Sequence, residues 1–344
     1  MKVALITGMS GQDGAYLAKF LLKKGSEEQG KKRRSSVYET QRILLRNQKS
    51  HNIPILFKLH SGDVTDLKVS IRINERVQLD EIDNLSGMSN NMVFFEAPEC
   101  VGKVSGIGTS RVWEAVRLLG LVSKAWINPS FSVDLTDLFQ VVPPVETTPF
   151  NFRSPYVISK IGGFCKSWND QESHTMNACK RDLFTNESPF GAKTNVIRSI
   201  PCGQASLSLC LITKIKFGNL DNPLDRDHAE ENMEVWRRNL LQDQSKDCLV
   251  ATATMTSTRT FIPIAFSKLD KALVFLGVGK AKKGLVVSFS NPDLQLPVYQ
   301  VAVGYDPRYF CTTEAELLTG ESTKANTKFY WKSNYDLLDE RLVP

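Results

Sequence analysis

A tyrosine and a lysine four positions apart, Tyr156 and Lys160, are the side chains of this sequence best suited to act on a hydroxyl group. On a helix, the spacing i, i+4 places both residues on one face. A nearby ammonium group favours the phenolate form of a tyrosine. The pair therefore predicts a general base that removes the proton of a hydroxyl group while hydride leaves the adjoining carbon.

Three glycines near the start of the chain form the pattern GxxGxxG. The run Val3–Thr7 before them is short and apolar and predicts a buried strand, and Tyr16–Lys24 after them has apolar residues at helical spacing. Glycines between a strand and a helix allow a tight turn that approaches a pyrophosphate at a helix N-terminus. A purely structural turn is the alternative. The residues predicted to bind a dinucleotide here are Gly8, Met9, Ser10, Gly11, Gln12 and Asp13.

The basic run Lys31-Lys32-Arg33-Arg34 decides the type of dinucleotide that is predicted. An acidic residue about 20 positions after the glycine turn favours NAD, whereas arginine favours the 2′-phosphate of NADP. Arg33 and Arg34, followed by Ser35 and Ser36, can clamp a phosphate with their guanidinium groups. The cofactor predicted is NADP, and a solvated loop is the alternative for this run.

An aspartate follows the next strand candidate, Ile55–His60. Asp63 and its neighbour Val64 are predicted to meet the adenine of the dinucleotide. The alternative for Asp63 is a helix N-cap, because aspartate is favoured in both roles.

Strands and helices alternate through the first half of the chain, which predicts βαβ units. Asp80–Leu85 resembles a strand end, Ser110–Leu119 a helix and Ala125–Asn128 a strand, whereas the polar residues 26–52 predict a loop. The fold class predicted is α/β, a Rossmann doubly wound parallel sheet with a smaller α/β C-terminal substrate domain. The predicted Rossmann domain covers 1–185 and is rejoined by about 215–255. The predicted substrate-binding domain covers 186–214 and 256–344.

Composition narrows the function classes. The chain has 344 residues, of which 42% are hydrophobic and 23% charged, as in soluble globular proteins. The net charge of +6 is dispersed among acids, so nucleic acid is not an expected partner. Seven cysteines without a CxxC pair argue against a zinc site and a disulfide framework. No apolar run is long enough for a membrane span, and a cytoplasmic location is expected.

Several longer motifs resemble the GDP-mannose 4,6-dehydratase family of extended short-chain dehydrogenases/reductases. The matches run in order along the chain, and the two that are specific to this family are Glu-Thr-Thr-Pro-Phe at 146–150 and Asp-Pro-Arg-Tyr-Phe at 306–310. The other matching segments are 8–14, 59–63, 153–156, 186–189 and 218–221.

The resemblance implies a lyase that contains its own redox cycle. NADP takes hydride from C4 of the mannose ring, water leaves across C5 and C6, and hydride returns to C6. The implied substrate is GDP-mannose or a related nucleotide sugar, and the implied product is GDP-4-keto-6-deoxymannose. The family also implies a homodimer or homotetramer, with contacts in the polar stretch 35–52.

The resemblance also implies roles for individual residues. Tyr156 matches the base and Lys160 its lysine, Ser132 stands where a threonine orients the C4 oxygen, and Asp134 stands where a glutamate takes the C5 proton. Further cofactor contacts are implied at Leu85, Ser86, Gly87, Met88, Ser89, Cys100, Lys160 and Asn186. Substrate contacts are implied at Ser89, Thr185, Glu187, Arg198, Asn219 and Arg308.

The chain departs from the family at several implied binding positions. Phe190, Gly191 and Leu224 replace arginines, and Asp134 is one methylene shorter than glutamate. Two alternative functions stay open on these grounds. The first is a nucleotide-sugar epimerase, which needs Tyr156 and Lys160 but not Asp134. The second is an NADP-binding protein without activity.

Overall fold

The computed structural model of the chain describes residues 2–33, 57–122, 126–132, 145–146, 148–149, 154–176, 181–183, 185–192, 195–240, 248–289, 298–309 and 320–333. Its main feature is a sheet of seven strands in which every neighbouring pair is parallel. From edge to edge the strands are β10 (Cys248–Val250), β6 (Arg181–Leu183), β5 (Trp126–Ser132), β4 (Glu81–Asn84), β1 (Val3–Thr7), β2 (Glu27–Lys32) and β3 (Phe57–Ser61).

The strand order reverses at β1, because β2 lies on one side of it and β4 on the other. In open parallel sheets, ligands bind outside the carboxyl ends of the strands at such a reversal. The order therefore places a candidate site at the carboxyl ends of β1 and β4.

Helices cover both faces of this sheet. The helices of the described residues, some of which pack on the smaller sheets instead, are α1 (Gln12–Lys23), α2 (Leu67–Val77), α3 (Asn91–Glu96), α4 (Pro98–Val101), α5 (Gly108–Leu118), α6 (Pro155–His174), α7 (Val196–Ser208), α8 (Ala229–Leu240), α9 (Thr258–Ser267) and α10 (Thr323–Phe329). A π-helical turn, Gly102–Ile107, joins α4 to α5.

The two faces of β1 bury separate hydrophobic clusters. Ala4 and Ile6 pack with Leu17 of α1 and Trp236 of α8. Leu5 points to the opposite face and packs in a second cluster that contains residues of α2 and α5. Because both faces are covered, the first four of its five residues are apolar, which is why its sequence predicts it well.

The second strand contradicts the loop predicted over residues 26–52. Glu27–Lys32 forms β2, which pairs with β1 and β3 although it lacks apolar side chains. Pairing on both sides overrides the weak strand preference of its residues. Lys31 is consequently buried, and its Nζ donates to Ser70 Oγ at 2.7 Å. A solvated loop is therefore wrong for this lysine.

The described residues also form two smaller sheets. A three-stranded sheet contains β11 (Met255–Ser257), β9 (Pro223–His228) and β7 (Thr185–Glu187). A four-stranded sheet contains β12 (Lys271–Leu276), β13 (Lys283–Phe289), β14 (Val301–Tyr305) and β8 (Ile215–Phe217). The four-stranded sheet packs on α7 and α9 around a separate hydrophobic cluster.

The fold class predicted from the sequence is confirmed. The strands expected near 55–60, 80–85 and 125–128 are β3, β4 and β5, and the helix expected over Ser110–Leu119 is α5. Within the described residues, no helix has the length and apolarity needed to cross a membrane.

Candidate functional site

The glycine turn follows β1 directly and lies against the chain that leaves β4. Gly8 has a φ of +70°, and its carbonyl oxygen accepts a hydrogen bond from Gly11 N at 2.8 Å. A Cβ on Gly8 would lie 2.8 Å from the carbonyl carbon of Leu85 and 2.9 Å from Ser86 N. The positive φ and the close approach both require glycine.

The first turn of α1 is well suited to a phosphate group. Its N-cap is Gly11, which has no side chain to accept hydrogen bonds from the first N–H groups. A Cβ on Gly14 would lie 2.6 Å from the Gly8 oxygen and from Met9 Cα, so this glycine lets the helix pack on the turn. The N–H groups and the positive end of the helix dipole attract anions. A pyrophosphate therefore fits beside Ser10 and Gly11.

Asp13 is half-buried in the first turn of α1 among polar partners. Gln12 Nε2 lies 3.3 Å from Asp13 Oδ1 and donates to the Asn186 carbonyl oxygen at 2.9 Å, and Ser188 Oγ donates to Gln12 Oε1 at 2.8 Å. Burial raises the pKa of Asp13, whereas hydrogen bonds from Gln12 and Asn186 and the charge of Lys160 act to lower it. This network joins the glycine turn to β7.

Helix α6 brings the predicted tyrosine and lysine together. Ser154 Oγ accepts a hydrogen bond from Val157 N at 3.2 Å and Pro155 occupies the first helical position, so the helix begins here. Tyr156 and Lys160 are both buried, and Lys160 Nζ lies 5.6 Å from the centre of the Tyr156 ring. The structure thus shows the proximity that the i, i+4 spacing predicts.

The Lys160 ammonium group lies beside the loop that follows β4. A Cβ on Gly87 would be 3.2 Å from Lys160 Nζ, so glycine leaves room for the ammonium group. Ser105 Oγ, from the π-helical turn, accepts a hydrogen bond from Met88 N at 3.3 Å and holds the loop in place. Burial lowers the pKa of Lys160 to about 8, and the charge of Asp13 acts to raise it.

The ends of β2 and β3 carry the residues predicted to meet the adenosine part of a dinucleotide. Arg33 follows β2 and is half-buried. Asp63 Oδ1 accepts hydrogen bonds from Thr65 N at 2.9 Å and Thr65 Oγ1 at 2.8 Å. The N-cap of α2 is Asp66, whose side chain accepts from Val69 N at 3.1 Å, so the N-cap alternative for Asp63 is wrong.

Further residues predicted to bind the cofactor or to act in catalysis lie in several other segments of the chain. Val64 is buried in the hydrophobic cluster on one face of the main sheet. Cys100 is exposed, and its Sγ lies 3.5 Å from Met88 Sδ. Ser132 is the last residue of β5. The predicted residues outside the described part of the chain are Arg34, Ser35, Ser36 and Asp134.

Two predicted substrate residues have protein partners. Glu187 Oε1 lies 2.6 Å from Arg226 Nη1, and both side chains are buried. Burial raises the pKa of Glu187, which the charge of Arg226 acts to lower. Arg198 Nη1 donates to the Gly191 carbonyl oxygen.

Three further predicted substrate residues are placed by strands and turns. Asn219 is exposed, and its Oδ1 accepts from Asp221 N at 3.0 Å. Thr185 begins β7, and Arg308 belongs to the 3₁₀ turn Pro307–Tyr309.

The departures from the family pattern have local structural consequences. The Phe190 ring packs against Tyr16, with 5.2 Å between ring centroids. A Cβ on Gly191 would lie 2.9 Å from Gln12 Oε1, so a larger residue here would displace Gln12. At the two positions where the resemblance implies arginine, Phe190 therefore contributes to hydrophobic packing and Gly191 allows Gln12 to approach closely.

A buried polar chain beneath the site was not identified from the sequence. Thr7 Oγ1 donates to Asn84 Oδ1 at 2.6 Å, Asn84 Nδ2 donates to Thr109 Oγ1 at 3.0 Å, and Thr109 donates to the Ser105 carbonyl oxygen at 2.8 Å. It ties the carboxyl ends of β1 and β4 to α5. The sequence feature that could have indicated this chain is the polar residue at the end of each strand, Thr7 in β1 and Asn84 in β4.

The sequence matches a known family over almost its whole length. The family described as GDP-mannose 4,6 dehydratase matches residues 5–340. The chain belongs to the GDP-mannose 4,6-dehydratase family. A relative named GDP-mannose 4,6-dehydratase from Vibrio cholerae serotype O1 is 40% identical over 331 residues, which cover 96% of this chain and 89% of the relative. A relative of the same name from Yersinia enterocolitica is 39% identical, with the same two coverages of 96% and 89%.

Solved structures support the fold of this family member. A UDP-glucose 4-epimerase from Bifidobacterium longum, solved with NAD⁺ and UDP, superposes with a TM-score of 0.77. The superposition covers 99% of this chain and 96% of the epimerase at 14% sequence identity. At that identity the likeness concerns the fold alone.

Proposed function

We propose that the chain is a GDP-mannose 4,6-dehydratase, a lyase that converts GDP-mannose to GDP-4-keto-6-deoxymannose with NADP. The observation that carries the proposal is the position of Tyr156 and Lys160 beside Gly87, at the carboxyl edge of the parallel sheet, in a chain of this family. This arrangement suits a base that acts on a sugar hydroxyl group next to a dinucleotide.

The proposed chemistry assigns one task to each side chain. Tyr156 takes the proton of the C4 hydroxyl group, and the buried Lys160 ammonium stabilises the resulting phenolate. Ser132 orients the C4 oxygen, and Asp134 removes the C5 proton so that water can leave from C6. NADP, when bound, accepts hydride from C4 and supplies it to C6.

The proposed cofactor site uses the glycine turn and the strand ends beside it. The uncapped first turn of α1 and the space beside Gly8 and Gly87 suit the pyrophosphate and the nicotinamide ribose. Arg33 and Arg34 would clamp the 2′-phosphate of NADP, and Asp63 would meet the adenine.

The proposed substrate site lies between the Rossmann domain and the smaller domain. Arg198 and Arg308 would bind the diphosphate, and Ser89, Thr185, Glu187 and Asn219 would complete the site. The proposal divides the chain as the sequence predicts, into 1–185 with 215–255 and 186–214 with 256–344. A homodimer or homotetramer in the cytoplasm is part of the same proposal.

The test is to incubate the purified protein with GDP-mannose and no added cofactor, and to follow the product by mass spectrometry and NMR. A 4-keto-6-deoxy sugar nucleotide is expected. An epimerised sugar would contradict the dehydratase proposal in favour of an epimerase. Binding of NADPH without binding or conversion of GDP-mannose would contradict any activity on this sugar. Tighter binding of NADP than of NAD tests the cofactor separately.

A further inference from the structure

The ring of Tyr156 is stacked on an aromatic side chain that the motifs do not include. Phe94 of α3 lies nearly parallel to it, with ring centroids 4.7 Å apart and an angle of 8° between the ring planes. Both side chains are 6% exposed, and Val101 completes their hydrophobic cluster. Aromatic pairs prefer such offset parallel geometry, so the contact fixes the tilt of the tyrosine ring as well as burying it.

Helix α3 contacts both the helix that carries Tyr156 and a turn that belongs to the proposed substrate site. This short helix contacts α6, which carries Tyr156, and it also contacts the 3₁₀ turn Pro307–Tyr309. That turn includes Arg308, which is proposed to bind the diphosphate. A displacement of the turn by a bound nucleotide sugar would therefore reach the helix that carries Phe94.

A general base must lie within hydrogen-bond reach of the proton that it removes, so the orientation of its ring affects the rate. Lys160 stands on the same helix as Tyr156 and interacts with the ring electrostatically, which does not prevent the ring from turning. We propose that Phe94 is a positioning residue, which holds the Tyr156 ring in its reactive orientation and links it to the Pro307–Tyr309 turn. This inference rests on the proposed function, in which Tyr156 is the base.

The kinetic test replaces Phe94 and compares it with its neighbour. Phe94→Leu keeps an apolar side chain but removes the stack, and Phe94→Tyr restores an aromatic ring. Phe95, on the same helix, is 50% exposed, so Phe95→Leu is the matched control. We expect Phe94→Leu to lower kcat by about tenfold to hundredfold, because a displacement of about 1 Å can cost ~10²-fold. NADPH affinity should change less than about twofold, Phe94→Tyr should recover most of kcat, and Phe95→Leu should match the wild type.

A spectroscopic test does not depend on turnover. The full-length protein with 3-fluorotyrosine at position 156 should show a ¹⁹F resonance that is shielded by the Phe94 ring. Phe94→Leu should move this resonance downfield, and Phe95→Leu should not. If GDP-mannose is not converted but the resonance moves, the proposed function fails and the ring contact stands.

The inference is overturned by an unmoved ¹⁹F resonance in Phe94→Leu. It is also overturned if kcat in that variant equals kcat in Phe95→Leu. If Phe94→Leu does not fold, Phe94→Tyr and Phe94→Trp provide the same comparison. Either variant should then retain a shielded resonance and most of kcat, and loss of both would overturn the inference.

Discussion

Glu187 and Arg226 form a buried ion pair between β7 and β9, with 2.6 Å from Oε1 to Nη1 and side chains 4% and 3% exposed. The two strands are parallel here, and Arg226 lies opposite Thr185. Arg226 Nη2 also approaches Thr258 Oγ1 at 3.4 Å, which brings the first turn of α9 into the contact. The pair therefore fixes the relative positions of β7, β9 and α9 next to the proposed substrate site.

Removal of one partner should leave a buried charge without compensation. We expect Arg226→Met to lower the free energy of unfolding by about 3–5 kcal/mol, measured by urea denaturation. The double variant Glu187→Met with Arg226→Met should recover much of this loss, because apolar residues often replace a buried ion pair with little cost. Arg117→Met is the control, since its 2.5 Å pair with Glu114 is largely solvated and should contribute about 0.2–1 kcal/mol. A loss in Arg226→Met no larger than in this control would show that the buried pair is not stabilising.

A comparison of Gly8 with Gly25, which both have a positive φ, can distinguish the cost of backbone strain from the cost of steric overlap. Gly8→Ala should suffer both, because φ is +70° and the new Cβ would lie 2.8 Å from the Leu85 carbonyl group. Gly25 has a similar φ of +77°, but a Cβ there meets nothing within 4 Å. We expect Gly25→Ala to cost about 1–2 kcal/mol of stability and to leave NADPH binding unchanged. Gly8→Ala should lower stability by more than this and weaken NADPH binding at least about tenfold in a fluorescence titration. Equal effects of the two variants would contradict a requirement for glycine at position 8 to avoid steric overlap.

Local features made part of the fold and site predictable. The first four residues of β1 are apolar because helices cover both faces of the strand. The glycine turn and the Tyr156–Lys160 spacing are patterns that each lie within a single segment. The strand β2 was not predictable, because Glu28 and Lys31 are buried through pairing with strands on both sides rather than through their own preference.

Contacts between segments that are far apart in the sequence could not be predicted either. The stack of Phe94 on Tyr156 and the pair of Glu187 with Arg226 each join residues that no local pattern relates. Such partners depend on which strand and helix faces meet after folding. The sequence thus identified residues whose types could take part in catalysis or binding. The side chains that orient those residues became visible only in the structure.

Tyr156 provides the most direct test of the proposed chemistry. Tyr156→Phe removes only the hydroxyl group, and the ring can keep its 4.7 Å stack on Phe94. We expect turnover of GDP-mannose to become undetectable while NADPH binding and thermal stability remain close to wild type. Turnover at the wild-type rate would remove Tyr156 from the mechanism.

The stability of the protein should depend on pH through a buried aspartate in β9. Asp227 is 3% exposed, and burial raises its pKa from 3.8 to about 7, with repulsion from Glu231 and Asp225 acting in the same direction. Its Oδ1 accepts a hydrogen bond from His228 N at 2.7 Å. The folded protein therefore binds a proton more tightly than the unfolded chain does. This contribution to stability is complete below about pH 4 and is lost as the pH rises to about 7.

Asp227→Asn should remove this dependence, because the amide keeps the oxygen that accepts from His228 and carries no charge. At pH 8 the variant should be more stable than the wild type, by up to an amount on the order of 4 kcal/mol, and at pH 4 the two should be alike. Urea denaturation between pH 4 and pH 9 gives the comparison, with the exposed Asp270→Asn as the control. A second decline, which begins near pH 4.5 and continues to about pH 10, should persist in every variant, because burial raises the pKa of Glu28 from 4.5 to about 10. Parallel stability curves for Asp227→Asn and the wild type would show that the folded protein does not raise the pKa of Asp227.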